Sequence, residues 1–212
     1  MEDLTTAFTF FLKCFLTLFV IIDPPGNLPI FIALTERFDE KVRQRISKRM
    51  TIIALAILLA TMVSGGGILE FFHVSINSLR VAGGILLFIV SVDILLGRIA
   101  REKYASMAEK SAEVDAIAVF PLALPLYTGP GAITVGIVMF SQAEGILLKL
   151  IVILSAILVY VLVRLSHLYT GFIIKLLGKS GADIVAKVLA IFLAAIGVEL
   201  IFEGLKEEFL RA

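Results

Sequence analysis

The sequence predicts an all-α polytopic membrane protein: six transmembrane helices in two inverted three-helix repeats, with helices 1 and 4 discontinuous. Three observations predict it. Hydrophobic types make up 59% of the 212 residues, charged types only 17%, and mean hydropathy is +1.03. Soluble domains run about 45–50% apolar and about 25% charged, so a soluble core of this size cannot hide so much apolar surface. Six segments are apolar over the roughly 20 residues that a hydrocarbon core demands, and two of them carry dense Pro/Gly clusters at matching positions.

The spans follow in order. The first runs over about Leu4–Glu36 and is interrupted, the second covers Met50–Phe72 and the third Leu79–Gly97. The fourth, Ala116–Phe140, is also interrupted; the fifth is Ile146–Ser166 and the sixth Ile184–Gly204. No strict alternation of apolar and polar residues runs through them, which disfavours transmembrane strands. Helices satisfy their own backbone groups in lipid, so helices are expected. Arg37–Arg49 reads as a helical extension of the second span, and Leu168–Leu177 as an amphipathic segment along the membrane interface.

Basic residues gather after spans one (Arg37, Lys41, Arg43, Arg45, Lys48, Arg49), three (Arg98, Arg101, Lys103, Lys110) and five (Arg164, Lys175, Lys179, Lys187). The positive-inside rule puts these stretches in the cytoplasm and both termini outside. An acidic start, Met1-Glu2-Asp3, argues against a cleaved signal peptide. The chain reads as one transmembrane domain: a first repeat over 1–100, a cytoplasmic linker over 101–112 and an inverted second repeat over 113–212.

The formal net charge of +1 points to no nucleic acid or other polyanion. A lone Cys14 excludes an intrachain disulfide. Two distant histidines and no HExxH leave no zinc site, and no metal or other cofactor is expected. Gly178-Lys179-Ser180 resembles the end of a P-loop, but Ile173 stands where its first glycine belongs. No catalytic residue is therefore assigned, and the protein is not expected to be an enzyme. Without an ATP site, any transport is secondary or passive.

Span one carries Asp23-Pro24-Pro25-Gly26-Asn27-Leu28-Pro29, and span four carries Pro125-Leu126-Tyr127-Thr128-Gly129-Pro130-Gly131-Ala132-Ile133-Thr134. Aligning Gly26 with Gly131 also aligns Pro25 with Pro130 and Phe15 with Phe120. Arg80 and Gly97 match Lys187 and Gly204 with a small shift. Three spans per copy invert the second copy, and paired broken helices in such a repeat point to a transport site near the bilayer midplane.

Proline lacks an N–H and clashes with the preceding turn, while glycine permits close approach. Each cluster should open its helix for a few residues, with first halves ending near Ile22 and Leu126 and second halves starting near Asn27 and Pro130. Helix N-termini attract carboxylates, and the free carbonyls of the first halves suit an ammonium or a metal cation. Side by side they match a zwitterion, and an α-amino acid is the obvious candidate. The expected substrate-binding set is Asp23, Gly26, Asn27, Thr128, Gly129, Gly131, Ala132 and Thr134. Gly26, Asn27, Gly131, Ala132 and Thr134 are placed around the carboxylate. Asp23 and its counterpart Thr128 are placed nearer the ammonium or a coupling ion. Asp93 and Glu199 lie toward span ends; Glu70, His73 and His167 read as interfacial or loop positions, and Arg80 as an anchor of span three.

The residues also carry a resemblance. Phe19-Val-Ile-Ile-Asp-Pro-Pro-Gly-Asn-Leu-Pro-Ile-Phe resembles the first signature of the MarC family of bacterial and archaeal membrane proteins. Phe120-Pro-Leu-Ala-Leu-Pro-Leu-Tyr-Thr-Gly-Pro-Gly-Ala-Ile-Thr resembles the second, and Leu79-Arg-Val-Ala-Gly-Gly-Ile-Leu-Leu-Phe a third stretch. The match covers nearly the whole chain. It implies transport of small neutral amino acids such as glycine and alanine, driven by a Na⁺ or proton gradient, in the cytoplasmic membrane of a prokaryote. One departure is Tyr127-Thr128, where the family pattern runs smaller or more apolar; Tyr127 there shrinks or gates the pocket. The lipid bilayer is a necessary partner, and self-association is left open. Two other classes fit the same composition: an exporter of hydrophobic or drug-like compounds, and a non-transporting scaffold or intramembrane enzyme.

Overall fold

The structure, a computed structural model, describes residues 2–97 and 114–210. The expected linker over 101–112 and the basic residues Arg98, Arg101, Lys103 and Lys110 lie outside the described residues. Every regular element among the described residues is helical: α1 (Glu2–Ile22), α2 (Pro24–Thr35), α3 (Glu40–Phe71), α4 (Ile76–Leu95) and a short α5 (Val114–Ile117). A kinked segment, Ala118–Tyr127, follows, then α6 (Pro130–Gln142), α7 (Gly145–Leu168) and α8 (Thr170–Phe209).

Five stretches are long and apolar enough to cross a membrane. They are Thr5–Thr35 (α1 with α2), α3, α4, α7 and Asp183–Phe209 of α8. Asp115–Tyr127 and Pro130–Gln142, bent by 62° at their break, make a sixth when taken as one span. The all-α polytopic fold is the one expected, and the interrupted spans are the first and the fourth.

Local chemistry explains the boundaries. Asp39 caps α3, accepting from the Val42 N–H at 2.8 Å, and Ser75 caps α4, accepting from the Ser78 N–H at 3.0 Å. At 32 residues, α3 is about 48 Å long, more than the bilayer core needs. Its basic first turns therefore extend beyond the apolar stretch, as the sequence suggests. The chain turns at Tyr169, and from Thr170 one 40-residue helix runs to Phe209, so most of the stretch read as an amphipathic interfacial segment, Leu168–Leu177, is the first part of that helix.

The core is built from stripes at three- and four-residue spacing. Cys14, Leu18 and Ile22 on α1 are buried, as are Ile46, Met50, Ala54, Leu58 and Met62 on α3. Val152, Ala156, Val159 and Val163 supply the facing stripe of α7. The opposite faces expose Phe8, Ile52, Leu154, Ile191 and Phe192, as lipid-facing helices do.

The packing pairs are as follows. α1 lies on α7 and the kinked segment on α3; α2 lies on α8 and α6 on α4; α3 meets α7, and α4 meets α8. The α4–α8 seam is the most extensive. There a Cβ on Gly197 would come within 2.7 Å of the Gly84 carbonyl oxygen, so only glycine permits that approach. At one end of the seam the buried Arg80 donates to Glu207 at 2.6 Å and to Asn77 at 3.1 Å.

Candidate functional site

The first break is a single residue. Asp23 sits in the left-handed region at φ 46°, ψ 64°, which aspartate tolerates better than most side chains. Pro24 and Pro25 follow as the first two residues of α2, where a missing N–H costs nothing. The expected start near Asn27, after several unwound residues, is therefore corrected: α2 starts at Pro24, because left-handed Asp23 alone clears the proline ring from the turn before it.

Asp23 also caps the helix it opens. Its Oδ1 accepts the Gly26 N–H at 3.0 Å. Gly26 is required there, since a Cβ would lie 2.7 Å from that oxygen. Asn27 donates its Nδ2 hydrogen to the Ile22 carbonyl at 2.9 Å, closing the last turn of α1. Both free ends of this break are thus met by the chain's own side chains. Asp23 Oδ2 has no hydrogen-bond partner among the described residues, although Asp23 is only 7% exposed.

The second break is longer and differently finished. Phe120 and Leu124, each preceding a proline, adopt extended backbone at φ −133° and −124°. The Phe120–Pro121 and Leu124–Pro125 peptide bonds are cis. The first half of span four runs on as a kinked helix to Tyr127 and the second starts at Pro130, which matches the expected end near Leu126 and start near Pro130. Thr128 donates its N–H to Ala123 O at 2.9 Å. Gly129, extended at φ −82°, ψ 174°, precedes Pro130, and no side chain caps α6. The N–H groups of Gly131 and Ala132, both buried, stand at that open end.

The two breaks lie near each other. A Cβ on Gly131 would lie 4.0 Å from Ile21 Cγ2 and would collide with Leu87 of α4. Thr134, one turn further along α6, packs on Gly83 of α4; its hydroxyl has no hydrogen-bond partner among the described residues. Of the expected residues, Gly131 packs against Leu87 and Thr134 against Gly83 of α4, Ala132 is buried on the same helix, and Asp23 stands at the first break. Gly26 and Asn27 finish the first break, and Gly129 starts the second half-helix.

Thr128 departs from its expected place. It is fully buried and turned away from the first break, donating to the Ala54 carbonyl of α3 at 3.0 Å and bonding the Tyr160 hydroxyl of α7. Tyr160 in turn donates to the Tyr127 carbonyl at 2.9 Å. The kinked backbone satisfies its polar groups against α3 and α7, as it must where no water is at hand.

His167 is a second correction. It lies at the end of α7 but is 1% exposed, because α2, α3 and the kinked segment close over it. The Phe31 ring stacks on the imidazole at 3.8 Å between centroids. Nε2 is 2.8 Å from the Tyr127 hydroxyl, and Nδ1 is 2.8 Å from Ser47 Oγ. Arg164 donates to Ser47 Oγ and to Gln44 Oε1, both at 2.7 Å, and Gln44 donates to the exposed Glu40 at 2.6 Å. Sequence reasoning missed this cluster. A signal was present: Tyr160, Arg164 and His167 share one face of an apolar helix, as do Gln44, Ser47 and Thr51.

Asp93, Glu199, Glu70 and His73 are exposed and belong to neither break. No group of three or more His, Cys, Asp or Glu side chains that could hold a metal ion occurs among the described residues.

The comparisons agree on one kinship. A family model described as MarC family integral membrane protein matches residues 8–209. A UPF0056 membrane protein of Archaeoglobus fulgidus is 66% identical over 97% of this chain and 97% of its own length. Another, of Methanocaldococcus jannaschii, is 36% identical over 93% of this chain and 96% of its own. UPF0056 membrane protein YvbG of Bacillus subtilis is 32% identical over 95% and 97%. No solved structure matches.

Proposed function

We propose that this chain, which belongs to the MarC family of integral membrane proteins, is a secondary transporter of small neutral amino acids of the glycine and alanine type, coupled to a Na⁺ or proton gradient. The observation that carries this reading is the unequal finish of two neighbouring breaks. One holds a buried carboxylate with a free oxygen, Asp23 Oδ2. The other ends in an uncapped helix start at Gly131 and Ala132. A zwitterion has the complementary charges. Its carboxylate meets the partial positive charge and free N–H groups of α6, with the Thr134 hydroxyl one turn away. Asp23 takes the ammonium or the coupling cation.

Crowding sets the size limit. Leu87 stands where even a methyl group on Gly131 would sit, so a large substrate side chain has no room beside that turn. The packing supports an inverted repeat. Exchanging α1 and α2 with the kinked segment and α6, α3 with α7, and α4 with α8 interchanges the α1 and kinked-segment pairs and the α2 and α6 pairs, and returns α3–α7 and α4–α8 to themselves. Gly26 and Asn27 keep the first break in shape, and Gly129 and Thr128 the second. The charge pattern puts both termini outside the cytoplasmic membrane of a prokaryotic cell.

The test is uptake of labelled glycine and alanine by proteoliposomes under imposed Na⁺ or proton gradients. Accumulation that collapses with one of the gradients is expected. Monodisperse protein that moves neither amino acid under any gradient, in either direction, overturns the reading.

A further inference from the structure

One imidazole joins four elements. His167 of α7 stacks on Phe31 of α2 at 3.8 Å between centroids. Its Nε2 is 2.8 Å from the Tyr127 hydroxyl of the kinked segment, and its Nδ1 is 2.8 Å from Ser47 Oγ of α3. α2 leaves the first break and the kinked segment leads into the second, so one half of each broken span meets on this ring. Phe31, Ser47 and Tyr127 are 0% exposed, and His167 is 1% exposed. We propose that these four side chains are the latch of an inner gate. It is closed in this structure, lies between the breaks and the basic end of the bundle, and must part for a solute to leave on that side. This rests on the transport reading above and names the gate on one side of it.

The chemistry of this contact suits a joint that opens. A neutral imidazole offers one N–H and one acceptor nitrogen, and the two hydroxyls take up both. From Ser47 the bonds run on through Arg164 and Gln44 to the exposed Glu40. Faces that part along this line uncover groups that water rehydrates, so hydrogen bonds are exchanged and not lost. Parting an apolar contact exposes hydrocarbon surface instead. The opposite end of the bundle supplies the comparison. In the register that pairs Gly26 with Gly131, His167 falls on Met62, Phe31 on Gly136, Tyr127 on Ile22 and Ser47 on Val152. The central contact recurs: as Phe31 lies on His167, Gly136 lies on Met62, where a Cβ would come within 2.9 Å of the Met62 Cγ. Met62, Ile22 and Val152 are buried and aliphatic or thioether in character. Directional hydrogen bonds define one closed position at the basic end, whereas an adaptable methionine defines none at the other. The latch therefore holds the closed form, and cutting one of its bonds shifts the population toward the form open on the basic side.

The experiment reads access from each face of the membrane. Cys14, the single native cysteine, is replaced by alanine. Ala54→Cys then places a thiol on the buried stripe of α3, about two turns beyond Ser47 and beside Thr128. A membrane-impermeant maleimide is applied to inside-out and to right-side-out vesicles. With the latch intact, this thiol should label from the cytoplasmic face at least about tenfold more slowly than one at the exposed Lys41→Cys. Tyr127→Phe and Ser47→Ala each remove one bond to the ring. Each should raise cytoplasmic labelling about fivefold or more, with no rise from the outer face. Met62→Ala, at the apolar counterpart, should leave cytoplasmic labelling within about twofold. Either latch variant decides the matter if the other does not fold. Fast cytoplasmic labelling with the latch intact overturns the proposal. So does an equal rise from both faces, or no rise in a folded latch variant, which is how a static strut behaves: it lowers thermal stability without choosing a face. Glycine exchange by wild-type proteoliposomes separates the two readings. Its absence overturns the amino acid reading, whatever the labelling shows; intact exchange with two-sided or unchanged labelling overturns the latch alone.

Discussion

The first break spends one residue, and the second spends two after a first half kinked at Phe120 and Leu124. Asp23 turns left-handed, caps α2 with its own carboxylate and lets Asn27 close α1. Span four instead kinks at Phe120 and Leu124 and breaks at Thr128 and Gly129, hands polar groups to α3 and α7, and leaves α6 uncapped. The two Pro/Gly clusters thus differ in the polar groups they leave at the break. The short break is negative and self-contained; the long one is positive at its helix start and tethered to its neighbours. A symmetric pair would bind two like charges, whereas an asymmetric pair suits a ligand charged at both ends.

The largest expected effect comes from removing the negative charge while keeping the cap. Asn caps helices as well as Asp, so Asp23→Asn should leave the melting temperature in detergent little changed. Gradient-driven accumulation should fall about tenfold to a hundredfold, the worth of a charge-assisted hydrogen bond at about 1.5–3 kcal/mol. Glycine exchange should fall less. An equal fall in both would assign Asp23 to the ammonium instead of the coupling ion.

Next come the paired glycines. Gly131→Ala drives a methyl into Leu87, and Gly26→Ala drives one into the Asp23 carboxylate. Overpacking of this kind costs about 1–3 kcal/mol, measured by thermal unfolding in detergent. Leu87→Ala should recover stability in the Gly131→Ala background and not in the Gly26→Ala background. Rescue of both, or of neither, would break the distinction between a break crowded by a neighbour and one crowded by itself.

The tether carries an effect of the same order. Tyr160→Phe removes a hydroxyl that bonds Thr128 and donates to the Tyr127 carbonyl. It should cost about 1–3 kcal/mol because it leaves buried groups unpaired. Thr128→Val should be non-additive with it in a double-mutant cycle. Asn27→Ala, the corresponding cut in the first break, should show no coupling to either.

How much of this was legible in the chain depends on the range over which each feature is decided. Span positions and the two interrupted helices follow from runs of Leu, Ile, Val and Phe and from the Pro/Gly clusters, all of them local. The start of α2 was misplaced because Pro24-Pro25 was weighed as a helix breaker. Proline at the first positions of a helix is a starter, and Asp23 three residues before Gly26 is an N-cap spacing in plain view. Thr128 and His167 could not be placed from local pattern. Thr128 is 74 residues from Ala54, and His167 is 120 from Ser47. A lone histidine at a span end reads as interfacial until α2 and α3 are known to cover it. The continuity of α8 was hidden by Gly171, Gly178 and Gly181, which helical backbone tolerates at modest cost.

The meeting of Gly84 with Gly197 has a mechanical consequence. Main chain rests on main chain along that line, with Arg80 and Glu207 latched at one end, so α4 and α8 cannot slip past each other without collision. In the transport cycle proposed above, alternation of the side the ligand faces would be carried by the broken helices tilting about that rigid keel.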